Sequence, residues 1–374
     1  MQGKHLRLFA SDKELYDLMF SSKKRITYRV LHQLSRERGV FFGPDTSRAD
    51  LANYISTTIH DLEDVIDLVK DAEPGTRRER TSSITVKMQL SPSEIQDVIQ
   101  EYANTEGESE EVKIPLKRKD AIVASVAYSE FDLSRTTLAQ RQDKVATLDF
   151  KIGDDGVVIR FPGSDKGREL VESLIEKLER KKKTAIPQEH ISVEDLTPRE
   201  RTRFFVKIVG NMAGYKVDTV TRLKVSSKML DSEDIDVDEN EEEESVEKEE
   251  VEKALAHLVE NVALTGSDLL VSKQYRQMEE DGFFITAIKW TATQTEHPFD
   301  KVEFEALFEG AQQGTGFQYR ARHSRVSVRT GTHPQNFKLP DDATRKALFS
   351  RLETTAKNVL AEIRRERSPS KGNG

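Results

Sequence analysis

The side chains best suited to chemistry in this sequence are the basic ones near its start. Residues 21–48 hold seven lysines and arginines against Glu37 and Asp45, which gives this stretch a local charge of +5. Lysine and arginine neutralise backbone phosphates, and such contacts supply most of the sequence-independent affinity of proteins for nucleic acid. The stretch is therefore a candidate phosphate-binding surface. Its candidate residues are Lys23, Lys24, Arg25, Arg29, Arg36, Arg38, Thr46, Ser47 and Arg48.

Two short helices must position these residues. An amphipathic pattern predicts one helix over residues 28–38, and the following Gly39 suits the left-handed conformation that ends many helices. After an extended stretch, a second helix is expected to begin behind Thr46 and Ser47, with Leu51 facing back. Helix N-termini offer N–H groups and the positive end of the helix dipole, which favours phosphate at this point.

This helix–extended loop–helix pattern, over residues 23–58, resembles the SAP domains and the related N-terminal module of the transcription terminator Rho. The resemblance implies binding to nucleic acid, with DNA favoured, through the N-terminus of the second helix, the loop before it and nearby basic side chains. The matching positions are Arg36, Arg38, Gly39, Thr46, Ser47 and Arg48.

The loop of this module departs from the family pattern. It is slightly longer than the usual one and contains the bulky pair Phe41 and Phe42. These rings either belong to the core or bind a protein partner. The alternative interpretation of the whole module is an ordinary helical hairpin with solvated arginines.

A second basic stretch lies between residues 310 and 340, which contain five basic residues and no acidic one. On a strand, Arg320 and Arg322 share one face while Phe317 and Tyr319 share the other. A basic strand with nearby aromatic rings suits binding to a nucleic-acid backbone and its bases. The favoured alternative is a solvated sheet face over a core of Phe317 and Tyr319. The nucleic-acid candidates here are Arg320, Arg322, Arg325 and Arg329.

An acidic segment, residues 231–252, contains 14 acidic residues and one lysine. The whole chain has a net charge of −8, so the remainder carries +5. Such a segment is typically solvated and flexible. It is expected to act as a linker, to bind a basic protein partner, or to compete with nucleic acid for the basic surfaces of its own chain.

Enzymatic motifs are poor in this sequence. It lacks the P-loop, HExxH and GxSxG patterns, so no catalytic residue, metal ligand or cofactor is predicted. A metal-dependent nuclease needs an aspartate and a Glu-x-Lys sequence on a strand. Asp97 with Glu111 and Lys113 fits this loosely, and so does a set on one predicted helix. That second set is Asp165, Glu179 and Lys181.

The periodicity of apolar residues predicts a multi-domain α+β protein. We expect a helical N-terminal module (residues 1–70), a linker (71–83) and two small domains, each an antiparallel sheet with helices (84–183 and 184–365). The acidic segment interrupts the second domain, and residues 366–374 are expected to be a disordered tail. Strands are predicted at 84–90, 121–128, 146–152, 157–161, 215–225, 283–290, 302–308 and 317–328. Helices are predicted to start near residues 12, 28, 47, 92, 164, 198, 252, 267 and 342, with a break near His60 in the third.

Length and composition narrow the class of protein. A chain of 374 residues without cysteine has no disulfide, thiol nucleophile or cysteine-ligated zinc site, which fits a reducing compartment. No apolar run approaches the ~18 residues of a membrane span, and the first nine residues lack a signal-peptide core, so a cytoplasmic location is expected. The expected function is that of a non-enzymatic nucleic-acid-binding accessory or regulatory protein. The alternatives are a protein-interaction scaffold or adaptor and a divergent metal-dependent nuclease. A role in phage defence or genome maintenance is a further hypothesis that no particular residue carries.

Overall fold

The computed structural model describes residues 9–72, 79–106, 110–227, 283–326, 332–334 and 336–367. The chain forms two compact units. Unit 1 consists of Met1–Arg78, Gln96–Leu116 and Val123–Thr147, and unit 2 of Glu79–Ile95, Lys117–Ile122 and Leu148–Gly374. The acidic segment, the helices predicted to start near 252 and 267, Arg329 and most of the predicted tail lie outside the described residues.

The helices at the start of unit 1 begin where the sequence places capping side chains. Ser11, Thr27 and Ser47 each accept a hydrogen bond from the backbone N–H three residues further on, and thereby satisfy one of the helix's unpaired donors. The predicted break near His60 is confirmed, because it separates the third helix from the fourth. These helices are α1 (Asp12–Ser21), α2 (Tyr28–Glu37), α3 (Arg48–Ser56) and α4 (Leu62–Ala72).

The core of unit 1 is built from the apolar faces of these helices. Leu18, Met19, Leu31 and Leu51 are fully buried there. Leu138 and Ala139 also contribute to this core, from the segment between two strands. Four elements have residues in both units, namely α5 (Pro92–Glu106), β2 (Glu111–Lys117), β3 (Ala121–Phe131) and β4 (Arg141–Gly153).

Unit 2 is built on an antiparallel sheet. Its neighbouring strands follow the order β4-β5-β1-β10-β9-β8-β7, and β6 also pairs with β1. The strands are β1 (Thr81–Val86), β5 (Gly156–Pro162), β6 (Gln188–His190), β7 (Tyr215–Ser227), β8 (Phe283–Gln294), β9 (Lys301–Gly310) and β10 (Thr315–Ser324). The helices are α6 (Asp165–Lys182), α7 (Pro198–Gly210) and α8 (Asp342–Arg367).

The main core of unit 2 lies between the sheet and the helices α7 and α8. Aromatic rings fill much of it: Trp290 stacks on Phe304 with ring centroids 5.3 Å apart, and Tyr319 meets Phe349 of α8 edge-on at 5.0 Å. A capping box of Thr197 and Glu200 begins α7, the helix that is predicted to start near residue 198. Burial of these large rings is the main source of stability in such a core.

The mixed architecture of helices and a large antiparallel sheet confirms the predicted fold class in its coarse form. The arrangement as separate small domains is not confirmed, since β1 pairs with β5 on one side and with β10 on the other. Two strands were not predicted. Strand β2 contains Pro115, which sheets rarely accept in their interior, and β6 has only three residues. Within the described ranges, none of the helices combines the length and apolar composition that a membrane crossing requires.

Candidate nucleic-acid interface

The turn between α1 and α2, residues 22–27 and hereafter the basic turn, exposes Lys23, Lys24 and Arg25. Local hydrogen bonds close it, because the backbone nitrogens of Arg25 and Ile26 donate to the first carbonyl of the turn, at 3.0 and 2.9 Å. The side chain of Ile26 is fully buried in the core of unit 1. One buried anchor in so short a turn leaves its three basic neighbours outside the core.

Helix α2 continues this basic surface. Leu31 and Ser35 are buried, whereas Arg29 and Arg36 are exposed on another face of the helix. Arg29 and Arg36 are seven residues apart, so they lie two turns, or about 10 Å, from each other along the axis. The first turn of α2 contains no acidic residue, and its positive dipole end adds to the local charge.

Three of these arginines are exposed to solvent. Arg25, Arg29 and Arg36 form no ion pair with any residue of the described ranges. The ammonium of Lys23 lies 5.4 Å from the ring centroid of Phe20, a cation–π contact that leaves its charge in place. Exposed cations without a carboxylate partner are suited to contact a phosphate backbone.

Arg38 has a different environment from its basic neighbours. Its Nη2 lies 3.0 Å from Nδ1 of His60 and 3.1 Å from Oδ2 of Asp64, and its Nη1 donates to the carbonyl of Leu34 at 3.2 Å. Only 17% of the side chain is exposed. Arg38 therefore ties α2 to α4, and its charge is partly neutralised within unit 1.

Arg48, at the first position of α3, is also engaged by the protein. Its Nη2 donates to the carbonyl oxygens of Met19 and Ile26, the latter at 2.7 Å, and its Nε donates to that of Phe20 at 3.3 Å. Partial burial lowers the pKa of this guanidinium. Arg48 thus serves as an internal donor to three carbonyls.

The N-terminus of α3, where the resemblance places a phosphate, is acidic in this structure. The hydroxyl of Ser47 donates to Oδ2 of Asp50 at 2.6 Å and accepts from its backbone nitrogen at 3.1 Å. Asp12 and Asp50 both line a cavity of about 430 Å³ beside this helix start. The carbonyl of Thr46 accepts a hydrogen bond from the hydroxyl of Tyr28. The ammonium of Lys13, which also lines this cavity, pairs with Asp17 at 2.9 Å. The two carboxylates therefore disfavour an anion here, and the charge of unit 1 favours the start of α2 over the start of α3.

The two phenylalanines of the loop differ in burial. Phe42 packs against the core of unit 1 and meets Tyr54 edge-on with ring centroids 5.1 Å apart. Phe41 is 79% exposed. Phe42 is therefore a partly buried residue at the edge of the core, whereas the ring of Phe41 is accessible to solvent.

The basic candidates on β10 are paired across the sheet of unit 2. Arg320 contacts the carboxylate of Glu305, which also binds Arg80 at 3.0 Å, and Arg322 lies 3.9 Å from Glu303. Burial would raise the pKa of Glu305, but the charges of Arg320 and Arg80 outweigh it and hold that pKa below its usual range. These arginines belong to cross-strand ion pairs, which supports the sheet-face interpretation of this stretch.

The rest of this second stretch agrees with that interpretation. Phe317 and Tyr319 are buried in the core of unit 2. Arg325 is exposed and pairs with Asp341 at 2.8 Å. Arg329 is outside the described residues.

Unit 2 contains a buried polar cluster that the sequence patterns do not predict. Arg160 of β5 donates to both carboxylate oxygens of Glu353 on α8, at 2.7 and 2.8 Å, and to the hydroxyl of Ser350 at 2.8 Å. The hydroxyl of Tyr319 donates to the same carboxylate, and burial next to Glu353 raises the pKa of Tyr319 well above its usual range. The only sequence signals were an arginine inside an apolar strand and a glutamate inside an apolar helix face.

The structure separates two carboxylates of one candidate nuclease set. Asp165 and Glu179 are 14 positions apart on α6, which separates them by about 21 Å. Glu111 and Lys113 form an exposed ion pair of 2.8 Å on β2. Among the described residues, no group of three or more histidine, aspartate or glutamate side chains is arranged to hold a metal ion.

No protein-family model and no curated protein matches this chain.

Proposed function

We propose that the chain is a non-enzymatic nucleic-acid-binding protein, and that unit 1 contacts the phosphate backbone through the basic turn and the exposed face of α2. The contacting residues would be Lys23, Lys24, Arg25, Arg29 and Arg36. DNA is the favoured ligand, from the resemblance of this module to SAP domains. The protein would act as an accessory or regulatory factor.

The observation that carries the proposal is the unequal treatment of the arginines. Arg38, Arg48, Arg320 and Arg322 are each bound to acceptors of their own unit. The arginines of the basic turn and of the outer face of α2 are exposed and form no ion pair with a described residue. Unpaired like charges on one surface repel one another, and a polyanion relieves that repulsion.

The test is a salt series of binding to labelled duplex and single-stranded oligonucleotides. Replacing Arg25, Arg29 and Arg36 together by alanine should weaken binding about tenfold or more near 100 mM salt. It should also flatten the slope of log K against log salt by up to about 3 units, because each lost phosphate contact removes close to one unit.

A matched control removes three exposed charges from unit 2, by replacing Lys216, Arg222 and Arg365 with alanine. This control should retain the slope of the native protein. Equal losses in the two triple variants would show a diffuse electrostatic attraction instead of a site. Unchanged binding in the first variant would refute the proposed interface.

A second candidate function, that of a protein-interaction adaptor, is favoured by the exposed apolar side chains of unit 1. Phe41 is 79% exposed and Ile59 is 95% exposed. Large apolar side chains in such positions are typical of contact surfaces when they form a patch. An adaptor would bind neither duplex nor single-stranded oligonucleotide at any salt concentration from 50 to 200 mM. A nucleic-acid-binding protein with about six phosphate contacts would instead bind at the low end of this range and lose at least ~10³-fold in affinity towards the high end.

A further inference from the structure

Arg48 lies between the two ends of the basic turn. Its guanidinium donates to the carbonyls of Met19 and Phe20 in the last turn of α1, and to the carbonyl of Ile26 near the start of α2. Two of these acceptors precede Lys23, Lys24 and Arg25 in the sequence, and the third follows them. The side chain of Arg48, on α3, therefore connects the end of α1 to the end of the basic turn.

The local electrostatics explain why an arginine occupies this position. The last turn of α1 contains no basic residue of its own, and Arg48 supplies the positive partner for its carbonyls of Met19 and Phe20. A cation at a helix C-terminus offsets the negative end of the dipole, and the planar guanidinium can serve two acceptor groups at once. Nε and Nη2 of Arg48 are directed at carbonyls of the protein, which makes the side chain a poor ligand for an external phosphate.

We propose that Arg48 is a positioning residue, which holds the basic turn in the conformation that meets the phosphate backbone. This inference rests on the proposed function of unit 1. Without the bridge, the turn keeps its short internal hydrogen bonds but loses its tie to α3. The free protein then samples more conformations, and binding must pay for ordering the turn.

Positioning and direct contact predict different salt dependences. Loss of a phosphate ligand flattens the salt slope by about 0.9 per contact on duplex DNA. Loss of a positioning residue lowers the affinity while the number of neutralised phosphates in the complex stays the same. The Arg48→Met variant should therefore bind a labelled duplex about fivefold more weakly with an unchanged slope, a loss on the scale of one hydrogen bond.

The lysine variant tests the bridge itself. Arg48→Lys retains the positive charge, but its ammonium lacks the planar fork with which Nε and Nη2 reach the three carbonyls. Its affinity should stay close to that of Arg48→Met. Backbone amides of Arg25 and Ile26 should exchange hydrogen faster in both variants, because their turn is less constrained.

A double-mutant cycle supplies the readout that a purely structural role would not change. If Arg48 acts through the basic turn, Arg48→Met and Arg25→Ala should be coupled, so that the double variant loses less affinity than the two single losses combined. Arg36→Ala, at the far end of α2, should combine additively with Arg48→Met.

The outcomes separate this inference from the proposed function. Unchanged binding in the Arg25, Arg29 and Arg36 triple variant refutes the interface itself. If that variant loses affinity, a flatter salt slope in Arg48→Met would identify Arg48 as a direct ligand and overturn the inference. Wild-type affinity in both Arg48 variants would also overturn it. Circular dichroism serves as the fold control. If Arg48→Met fails to fold, Arg48→Lys carries the test, and unfolding of both shows a general structural role and also overturns the inference.

Discussion

Arg160 and Glu353 are 193 residues apart in the sequence and form a two-bond ion pair inside unit 2. Only 5% and 8% of their side chains are exposed. Burial opposes the charge of Arg160, but the hydrogen bonds and the charge of Glu353 outweigh it and raise the pKa of Arg160 above its already high usual value. The pair connects β5 of the sheet to α8, so it joins elements that are distant along the chain.

Breaking this pair on one side should cost much stability. Glu353→Gln removes the two-bond partner of the buried Arg160 and leaves Asp149, whose Oδ2 lies 3.7 Å from Nη1, as the nearest remaining carboxylate, and we expect a loss of about 3 kcal/mol in the free energy of unfolding. Urea unfolding at pH 7 measures it. The control Glu362→Gln removes an exposed partner of Lys207 and should cost less than ~1 kcal/mol. Equal losses in the two variants would contradict the assignment of Arg160 and Glu353 as a buried pair.

Replacing Arg320 and Arg322 by alanine should affect stability and leave nucleic-acid binding unchanged. Both arginines pair with glutamates of β9, and Arg320 is only 13% exposed. We expect a loss of about 1–3 kcal/mol in stability, because Glu305 then keeps Arg80 alone as its cationic partner among the described residues. The salt slope of binding should equal that of the native protein. A slope reduced by one or two units would restore β10 as part of the interface.

Substitution of Gly39 should lower the stability of the protein for a conformational reason alone. Its φ is +74°, in the left-handed region that ends α2, and an added Cβ would meet no atom within 4 Å. Gly39→Ala should therefore lower stability by about 1 kcal/mol through backbone strain without a clash. Gly43→Ala is the matched control, since its backbone is not left-handed and its Cβ would lie 4.0 Å from Thr46. Thermal unfolding should show little change for the control, within about 0.5 kcal/mol.

Acid should weaken unit 2 at the contact between Glu94 and Lys182. Hydrogen bonds from Lys182 and Ser91 lower the pKa of Glu94 to about 2. In the unfolded chain a glutamate has a pKa near ~4.3, so the contact stabilises the fold above that pH, and this contribution disappears as the pH falls towards 2. The effect is below ~1 kcal/mol, because the two side chains are 38% and 32% exposed.

The measurement compares Lys182→Met with the native protein by urea unfolding between pH 7 and pH 2.5. The difference in stability should be largest at neutral pH and should shrink below about pH 4. Arg180→Met, which removes an exposed pair with Glu176, is the control and should show a smaller difference at pH 7. A difference that grows on acidification would contradict the assigned direction.

Local features of the sequence were enough to predict most of the secondary structure. Helix starts are predictable because a capping hydroxyl accepts from a backbone N–H only three residues further on, which is a local interaction. The hydroxyls that do so are those of Ser11, Thr27, Ser47 and Thr197. The alternation of apolar residues on β8, β9 and β10 likewise depends only on the geometry of one strand. Strand β6, with three residues, is too short to show such a signal, and it pairs with β1. Strand β2 does alternate, but its Pro115 argues against a strand in the sequence.

The sequence by itself determined the charge of the first helices, the positions of their caps and the coarse α+β class, since composition and periodicity are properties of the chain. Only the tertiary structure decided which arginines remain available. Arg48 and Arg25 have the same side chain, but Arg48 lies beside three carbonyls of α1 and the basic turn, whereas Arg25 has no carboxylate partner among the described residues. The environment of a long cationic side chain depends on residues far away in sequence, and folding alone brings them within hydrogen-bond distance.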